Sequence, residues 1–235
     1  MSKRRFQSAL AVSAIFFAVS AQAKDRYTMP DSCQGILTAQ LSSCEVQNFY
    51  RCDGDPTGFL NAMAFGPDGI LYYAIQNADG APVIGEYPQD GVSLIDNKRG
   101  PDFISSTVLM TQGLDRFDFE MDSDLGTFRA VGQMRLTGET KTIDGRSLEL
   151  VESELNFYDP KGALVLSADE PDLFDRELRW HFDTLDPDGL NKTPREFIYS
   201  GEPGFLTRAP KYDCGVVTSQ NTSKHEMMEV RNDQV

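Results

Sequence analysis

The chain between residues 117 and 136 alternates between apolar and polar side chains, and no other feature of the sequence limits the fold more. The odd positions from Phe117 to Met121 are apolar and are separated by single acidic residues. A turn at residues 124–126 leads into a second alternating run, which carries arginines such as Arg129 on its polar face. A period of two residues is typical of a β-strand with one buried face. The pattern predicts an antiparallel hairpin with charge pairs across its two strands.

Further turn signals divide the rest of the chain into short segments. Glycine-containing turns are predicted at residues 66–69, 144–145 and 159–162, and another alternating strand at residues 178–182. Turn signals that recur roughly every ten residues are typical of β-sandwiches and β-barrels. We therefore expect an all-β protein with few short helices. Its fold would be a single antiparallel β-barrel or β-sandwich built from about 8–11 consecutive strands.

The buried face changes within one of the predicted strands. Leu148 and Leu150 are apolar at even positions, whereas Val151, Leu155 and Phe157 are apolar at odd positions. A strand whose apolar face switches in this way requires a bulge or a sharp bend. We expect this strand to curve around a barrel or to cross between two packed sheets.

Helical patterns are scarce. Residues 30–41 and 102–114 could each form one short helix, and residues 171–177 a helical turn. The segment 219–235 is polar, lacks a periodic apolar face and is expected to be a disordered tail. No linker or change of composition divides the chain, so residues 24–218 are expected to form one β-rich domain.

The first 23 residues have the pattern of a cleaved signal peptide. A charged start that contains Arg4 and Arg5 precedes an apolar stretch at residues 9–19, and Ala21-Gln22-Ala23 fits a cleavage site. No later apolar run approaches the ~20 residues that a membrane-spanning helix needs. We expect a soluble exported protein, periplasmic or extracellular, without a transmembrane segment after cleavage.

The charge of the chain excludes one large class of partners. The formal net charge is −14, and loss of the three basic residues of the leader makes it −17. A protein that binds a phosphate backbone needs a basic face. We therefore expect no nucleic-acid partner.

The four cysteines follow the leader and are Cys33, Cys44, Cys52 and Cys214. In an oxidising compartment an even number of cysteines predicts disulfides, with three possible pairings here. If residues 44–52 form one strand, the first and last of them lie ~26 Å apart, beyond the ~7 Å that a disulfide spans. One of those two should therefore pair with Cys214. The preferred pairing is Cys33–Cys44 with Cys52–Cys214. The spacings do not match a zinc site, and no metal ligands are assigned.

The sequence does not contain a recognisable catalytic constellation. It has no G-x-S-x-G elbow and no glycine-rich nucleotide loop, so neither catalytic nor cofactor-binding residues are assigned. His181 falls on the polar face of a predicted strand and His225 in the predicted tail, so both are expected to be solvated. The acidic turn at residues 186–191 fails as an EF-hand loop, because Thr184 and Arg195 would stand at its first and last ligand positions.

Three functional hypotheses remain. The first is a non-enzymatic exported domain that binds a small apolar or lipid ligand, or an envelope protein, because small barrels can hold ligands. The second is an exported hydrolase that uses acidic residues, with Trp180 stacking on sugar rings. The third is a structural or adhesive envelope domain that its negative charge keeps soluble.

Overall fold

The computed structural model describes residues 26–89, 91–96, 99–184 and 191–212. The expected leader and tail, with His225 and residues 186–190 of the acidic turn, lie outside these ranges. Among the described residues no helix is long and apolar enough to cross a membrane. The elements, in chain order, are β1 (Cys33–Leu41), β2 (Val46–Cys52), β3 (Leu60–Gly66), β4 (Gly69–Gln76), β5 (Pro82–Tyr87), β6 (Val92–Asp96), α1 (Ser106–Gln112), β7 (Leu114–Ser123), β8 (Gly126–Ile143), β9 (Arg146–Tyr158), β10 (Leu164–Asp175), β11 (Trp180–Asp183) and β12 (Pro194–Ile198).

The strands form one antiparallel sheet in which neighbours in sequence are neighbours in space. The order runs from β11 down to β1, and β12 then pairs with the free side of β1. The sheet curls into a nearly closed barrel. The all-β prediction is confirmed, with twelve strands in the described residues, one more than the expected range. The predicted central hairpin is β7–β8, and Arg129 Nη2 lies 2.5 Å from Asp118 Oδ2 across it.

One of the two helix predictions is confirmed and the other is wrong. The helix predicted at residues 102–114 is α1, where Ser105 caps the N-terminus and Gly113 adopts a left-handed conformation at the C-terminus. Residues 33–41 of this segment form β1 instead. Both faces of the strand are buried from Leu37 to Leu41, so this part lacks the exposed polar face that marks a typical strand. The residues expected to form a helical turn from position 171 continue β10 up to Asp175.

The outer face of β1 and β2 is covered by a later part of the chain. Thr38 Oγ1 accepts a hydrogen bond of 2.8 Å from the backbone N–H of Leu206. Asn48 Nδ2 donates to the carbonyl of Thr207 at 2.8 Å, and Gln40 Nε2 to that of Ala209 at 3.2 Å. This row of polar side chains therefore binds the backbone of residues 206–211 and is buried by it.

The predicted change of buried face in β9 is confirmed. Leu148 belongs to the first apolar cluster, which also contains Leu37, Phe49 and Phe197. Val151 belongs to another cluster, which packs on α1 through Leu109. The strand therefore passes from one core to a second core on its opposite face. The pairing of β8 with β9 shifts register between Leu136 and Thr140, close to this crossing point.

The hairpin of β10 and β11 lies between these two cores. Leu173 and Phe182 pack into the first cluster, whereas Phe174 packs into the cluster under α1. Both faces of the end of β10 are therefore buried.

The structure corrects the preferred disulfide pairing. Cys33 lies directly opposite Cys52 in the register of β1 and β2, and the two form a disulfide. The preferences for Cys33–Cys44 and for Cys52–Cys214 are both wrong, because residues 33–41 form a strand that pairs with β2 and brings Cys33 next to Cys52. Cys44 is also disulfide-bonded. Cys214 lies outside the described residues, and elimination among the four cysteines predicts that it pairs with Cys44.

Removal of the Cys33–Cys52 disulfide should lower the free energy of unfolding. A cross-link between residues 19 positions apart contributes about 3 kcal/mol by restricting the unfolded chain. We expect the variant with Cys33→Ala and Cys52→Ala to lose about this amount in urea denaturation. Peptide mapping without reduction should recover Cys44 joined to Cys214 in both proteins. A peptide that joins Cys52 to Cys214 in the native chain would contradict the pairing.

Candidate functional site

One end of the barrel carries every connection that follows an odd-numbered strand. Successive antiparallel strands reverse direction, so the connections after β1, β3, β5, β7, β9 and β11 lie at the same end of the sheet. We call the four turns after β3, β5, β7 and β9 the tip face and define it as residues 66–70, 87–89, 123–126 and 158–166. The turns after β2, β4, β8 and β10, together with α1, lie at the opposite end.

The tip face carries most of the exposed apolar residues. Leu125 is 60% exposed at its turn, and Leu164 is 54% exposed where β10 begins. Among the described residues, six of the eight exposed large hydrophobic side chains belong to the tip face: Ile70, Tyr87, Leu125, Leu164, Val165 and Leu166. Scattered exposed hydrophobics are ordinary, whereas their concentration here makes the tip face a candidate interaction surface.

Neighbouring turns of the tip face contact each other. Gln89 Nε2 donates to the carbonyl of Ile70 at 3.2 Å, which joins the first turn to the second. A Cβ atom placed on Gly126 would come within 2.8 Å of Pro160 Cγ, so the third and fourth turns also touch. The apolar side chains of the tip face therefore lie on two pairs of adjoining turns.

The start of β10 is a free edge of the sheet. Residues from Leu164 to Pro171 pair with β9 on one side, and β11 begins to pair only at Asp172. The register of β10 shifts between Leu164 and Leu166, which leaves Val165 as an extra residue in the strand. A bulge and a proline interrupt the regular backbone pattern that promotes uncontrolled edge pairing. The exposed apolar side chains of this edge, rather than its unpaired backbone groups, are therefore the feature that could bind a partner.

The described residues of the tip face are predominantly acidic. Asp68, Asp124 and Asp159 lie in its turns, and Lys161 is the one basic residue in these ranges. Asp159 is engaged locally, because its Oδ1 accepts hydrogen bonds from the backbone N–H groups of Lys161 and Ala163 at 2.8 Å. The apolar side chains are therefore bordered by negative charge.

The opposite end is joined by polar contacts. Asp79 accepts hydrogen bonds from the Ser105 hydroxyl and from the backbone and hydroxyl of Thr107, and it lies 2.9 Å from Arg179 Nη1. Burial raises the pKa of Asp79, but these hydrogen bonds and the arginine outweigh it and lower the pKa below its ordinary value. The network attaches α1 to the turns after β4 and β10.

A polar depression of about 490 Å³ also lies at this end. Arg146 Nη2 donates to Asp175 Oδ1 at 2.9 Å, Nε donates to the other carboxylate oxygen, and Nη1 lies 3.0 Å from Glu177. Burial lowers the pKa of Arg146, but the hydrogen bonds to Asp175 and Tyr199 raise it overall. Asp175 also accepts the backbone N–H groups of Glu177 and Leu178. These contacts join the β8–β9 turn to the turn after β10. The Arg146–Asp175 ion pair therefore has a structural role.

The side chain of His181 is only 18% exposed and both of its ring nitrogens are buried, so the expectation of a solvated histidine is wrong. Its ring packs on Phe174 with centroids 4.7 Å apart, and both ring nitrogens are buried without a hydrogen-bond partner. Its Nδ1 lies 3.8 Å from Asp172 Oδ2, which accepts a hydrogen bond of 2.5 Å from Ser153 Oγ. Alternation correctly placed His181 opposite Trp180, but it could not show that a second core covers that face.

Two pKa values in this group are shifted. Burial raises the pKa of Asp172 to about 7, against the effect of the Ser153 hydrogen bond and with that of the charges on Asp183 and Glu170. Burial lowers the pKa of His181 to about 4. Shifted titrating groups are common at functional sites, although structural networks produce them as well.

The geometry of this group does not favour nucleophilic catalysis. Ser153 donates to Asp172 and not to His181, so the hydroxyl lacks the hydrogen bond to a base that would activate it. Trp180 packs edge-on against Phe49 at 5.2 Å, in the first core, and does not present a platform for sugar rings. In the part of the chain that the structure describes, no three His, Cys, Asp or Glu side chains group as metal ligands.

Comparison with known proteins does not provide a relative. No protein-family model matches the chain, and neither a curated protein nor a solved structure matches it.

Proposed function

We propose that the protein is an exported, non-enzymatic binding domain that docks onto an envelope protein through the tip face. The observation that carries this proposal is the concentration of exposed apolar side chains on the tip face, at one end of the barrel. Export is supported by the leader-like start of the sequence and by the oxidised cysteines.

The side chains that fill the interior of the barrel favour a protein partner over a small apolar ligand as the binding target. The β10–β11 hairpin lies between the two cores that it separates. Side chains such as Phe49 and Phe174 are fully buried in these cores. The exposed apolar surface is therefore on the end of the barrel, where it is accessible to another macromolecule.

The charge of the tip face specifies the chemistry of the partner. Exposed Asp68 and Asp124 would be repelled by an anionic surface and attracted to a basic one. We infer an apolar patch bordered by lysine or arginine on the partner. Such an association weakens as salt concentration rises, because exposed charges are screened within ~10 Å at 0.1 M.

The test places a photo-activated cross-linking residue at position 125 and, in a second protein, at position 95. Ile95 is 51% exposed but lies outside the tip face, so it is the matched control. We expect position 125 to give one defined adduct in intact envelopes, about tenfold more abundant than any adduct from position 95. The change Leu164→Lys should abolish that adduct and leave the melting temperature unchanged.

Two results would contradict the proposal. One is equal cross-linking from positions 125 and 95. The other is an adduct that persists unchanged with Leu164→Lys, which would place the partner on another surface. An adduct that consists only of lipid would favour membrane contact over a protein partner.

A further inference from the structure

The inner face of β10 changes from apolar to acidic with distance from the tip face. Leu166, Ala168, Glu170 and Asp172 follow one another on this face, and we call them the β10 row. Asp172 lies opposite the buried Val151 of β9, which places the row on the side of the sheet that faces the cores. Leu166 is 43% exposed, and β11 pairs with β10 only from Asp172 onwards. The first part of the row is therefore accessible from the tip face.

Four carboxylates lie close together where the β10 row reaches the end of β11. Asp183, the last residue of β11, is directly opposite Asp172 in the register. Lys192 Nζ lies 3.4 Å from Asp183 Oδ2 and 3.1 Å from Glu45 Oε2, so it joins Glu45 to the same group. Glu170 is close enough for its charge to act on Asp172. We call Glu45, Glu170, Asp172 and Asp183 the acidic cluster.

The acidic cluster has more negative charge than its neighbours balance. Among the described residues, Lys192 is the one lysine or arginine that forms an ion pair with it. His181 Nδ1 lies 3.8 Å from Asp172 Oδ2, and a protonated ring would add one positive charge. Four carboxylates are therefore matched by one lysine and at most one histidine. Like charges at facing positions of two strands are destabilising, so Asp172 and Asp183 reduce stability unless a cation is bound.

A buried amide in contact with the acidic cluster has an acceptor that is not used. Gln47 is only 3% exposed, and its Nε2 donates to Glu45 Oε1 at 2.7 Å. Its Oε1 is buried and accepts no hydrogen bond from the residues that the structure describes. A buried acceptor without a donor is costly. Because the amide is bonded to Glu45, a ligand with N–H donors and positive charge would satisfy this oxygen and the cluster together.

The pKa values of two neighbouring groups agree with an excess of negative charge. Burial is the main reason that the pKa of Asp172 is raised to about 7, and the charges on Asp183 and Glu170 contribute. Burial also raises the pKa of Tyr72, and the charges on Glu45 and Asp183 add to this effect. A cation bound at the cluster should therefore lower both pKa values.

We propose that the acidic cluster binds the primary ammonium group of a lysine side chain that enters along the β10 row. The unused groups of the site are acceptors, and an ammonium group supplies three N–H donors together with a positive charge. That this lysine belongs to the docked partner rests on the proposed function, whereas recognition of an alkylammonium group does not.

The apolar part of the β10 row selects an organic cation over a metal ion. The alkyl stem of a lysine would pack against Leu166 and Ala168, as lysine stems do on apolar surfaces. A metal ion would leave these two side chains without a role. In the described part of the chain, no three His, Cys, Asp or Glu side chains group as metal ligands.

Binding of n-butylammonium to the native chain, followed by NMR at constant ionic strength, tests the site. We expect a saturable shift of the Gln47 side-chain amide signals and none with 1-butanol, which has the same alkyl stem without the charge. Asp183→Asn and Glu170→Gln should each weaken binding about tenfold, because each removes a charged acceptor. Asp183 is 63% exposed, so its replacement should not prevent folding. Asp169→Asn, at an exposed position on the outer face of β10, is the control and should keep the native affinity.

Three results would overturn the proposal. One is the absence of a saturable Gln47 shift in the native chain. Another is equal affinity for n-butylammonium in Asp183→Asn and Asp169→Asn. The third is tighter binding of calcium chloride than of n-butylammonium, which would assign the cluster to a metal ion.

The source of the ammonium group is tested in intact envelopes. We expect Glu170→Gln to reduce the cross-linked adduct from position 125 several-fold. An undiminished adduct, with n-butylammonium binding confirmed, would overturn the partner lysine and assign the site to a free amine, while docking through the tip face would stand. Confirmed binding of n-butylammonium by a chain that gives no adduct at position 125 would instead contradict the proposed function and leave the amine site in place.

Discussion

Replacement of Arg146 by alanine should lower the free energy of unfolding by about 3–5 kcal/mol, the usual cost of removing one partner from a buried ion pair. The side chain of Arg146 is 10% exposed and that of Asp175 only 2%. Without the guanidinium, Asp175 would retain two backbone N–H donors but no counter-charge. Urea denaturation at neutral pH measures the loss.

Arg135→Ala is the matched control for this experiment. Arg135 pairs with Glu152 on the barrel surface, and the two side chains are 65% and 57% exposed. Exposed ion pairs contribute at most about 1 kcal/mol, so the control should change stability little. Similar losses in the two variants would show that burial does not set the strength of the Arg146–Asp175 pair.

Replacement of Gly132 by alanine should destabilise the protein by about 3 kcal/mol or more, the upper range for overpacking a core. A Cβ atom at this position would lie 1.9 Å from the carbonyl oxygen of Glu154 and 2.6 Å from Phe117 Cζ. Neither can move freely, since one belongs to the backbone of β9 and the other to a buried ring. The melting temperature should fall by roughly 6–12 °C for a chain of this size.

Gly54→Ala is the control, because no atom lies within 4 Å of the Cβ position there. Its melting temperature should remain within about 2 °C of the native value, as for most surface substitutions. If Gly132→Ala proved equally harmless, Phe117 would have to repack away from β8. A crystal structure of the variant would then show the ring displaced.

The predicted parts of the fold are those in which one face of a strand is solvated. Alternation identified β7 and β8, and the phase change at Leu150 and Val151 located the passage of β9 between two cores. β1 was missed because Thr38 and Gln40, although polar, are buried under residues 206–211. A contact between segments so distant in sequence leaves no local periodicity.

The candidate surfaces were less accessible to sequence reasoning. Leu125 lies inside the predicted turn at residues 124–126. A large apolar residue in an exposed turn was the one sequence feature that could have indicated the tip face. Its grouping with Ile70 and Leu164 depends on the order of the strands in the sheet. The state of His181 depends on a second core behind β11, which alternation does not report.

The pairing of β1 with β12 has a consequence for biosynthesis. The free side of β1 is paired only when β12 is present, and its polar row is covered only by residues 206–211. These segments are the last described parts of the chain. The first hairpins therefore keep one unpaired edge and one uncovered polar face until almost the whole domain is available to fold.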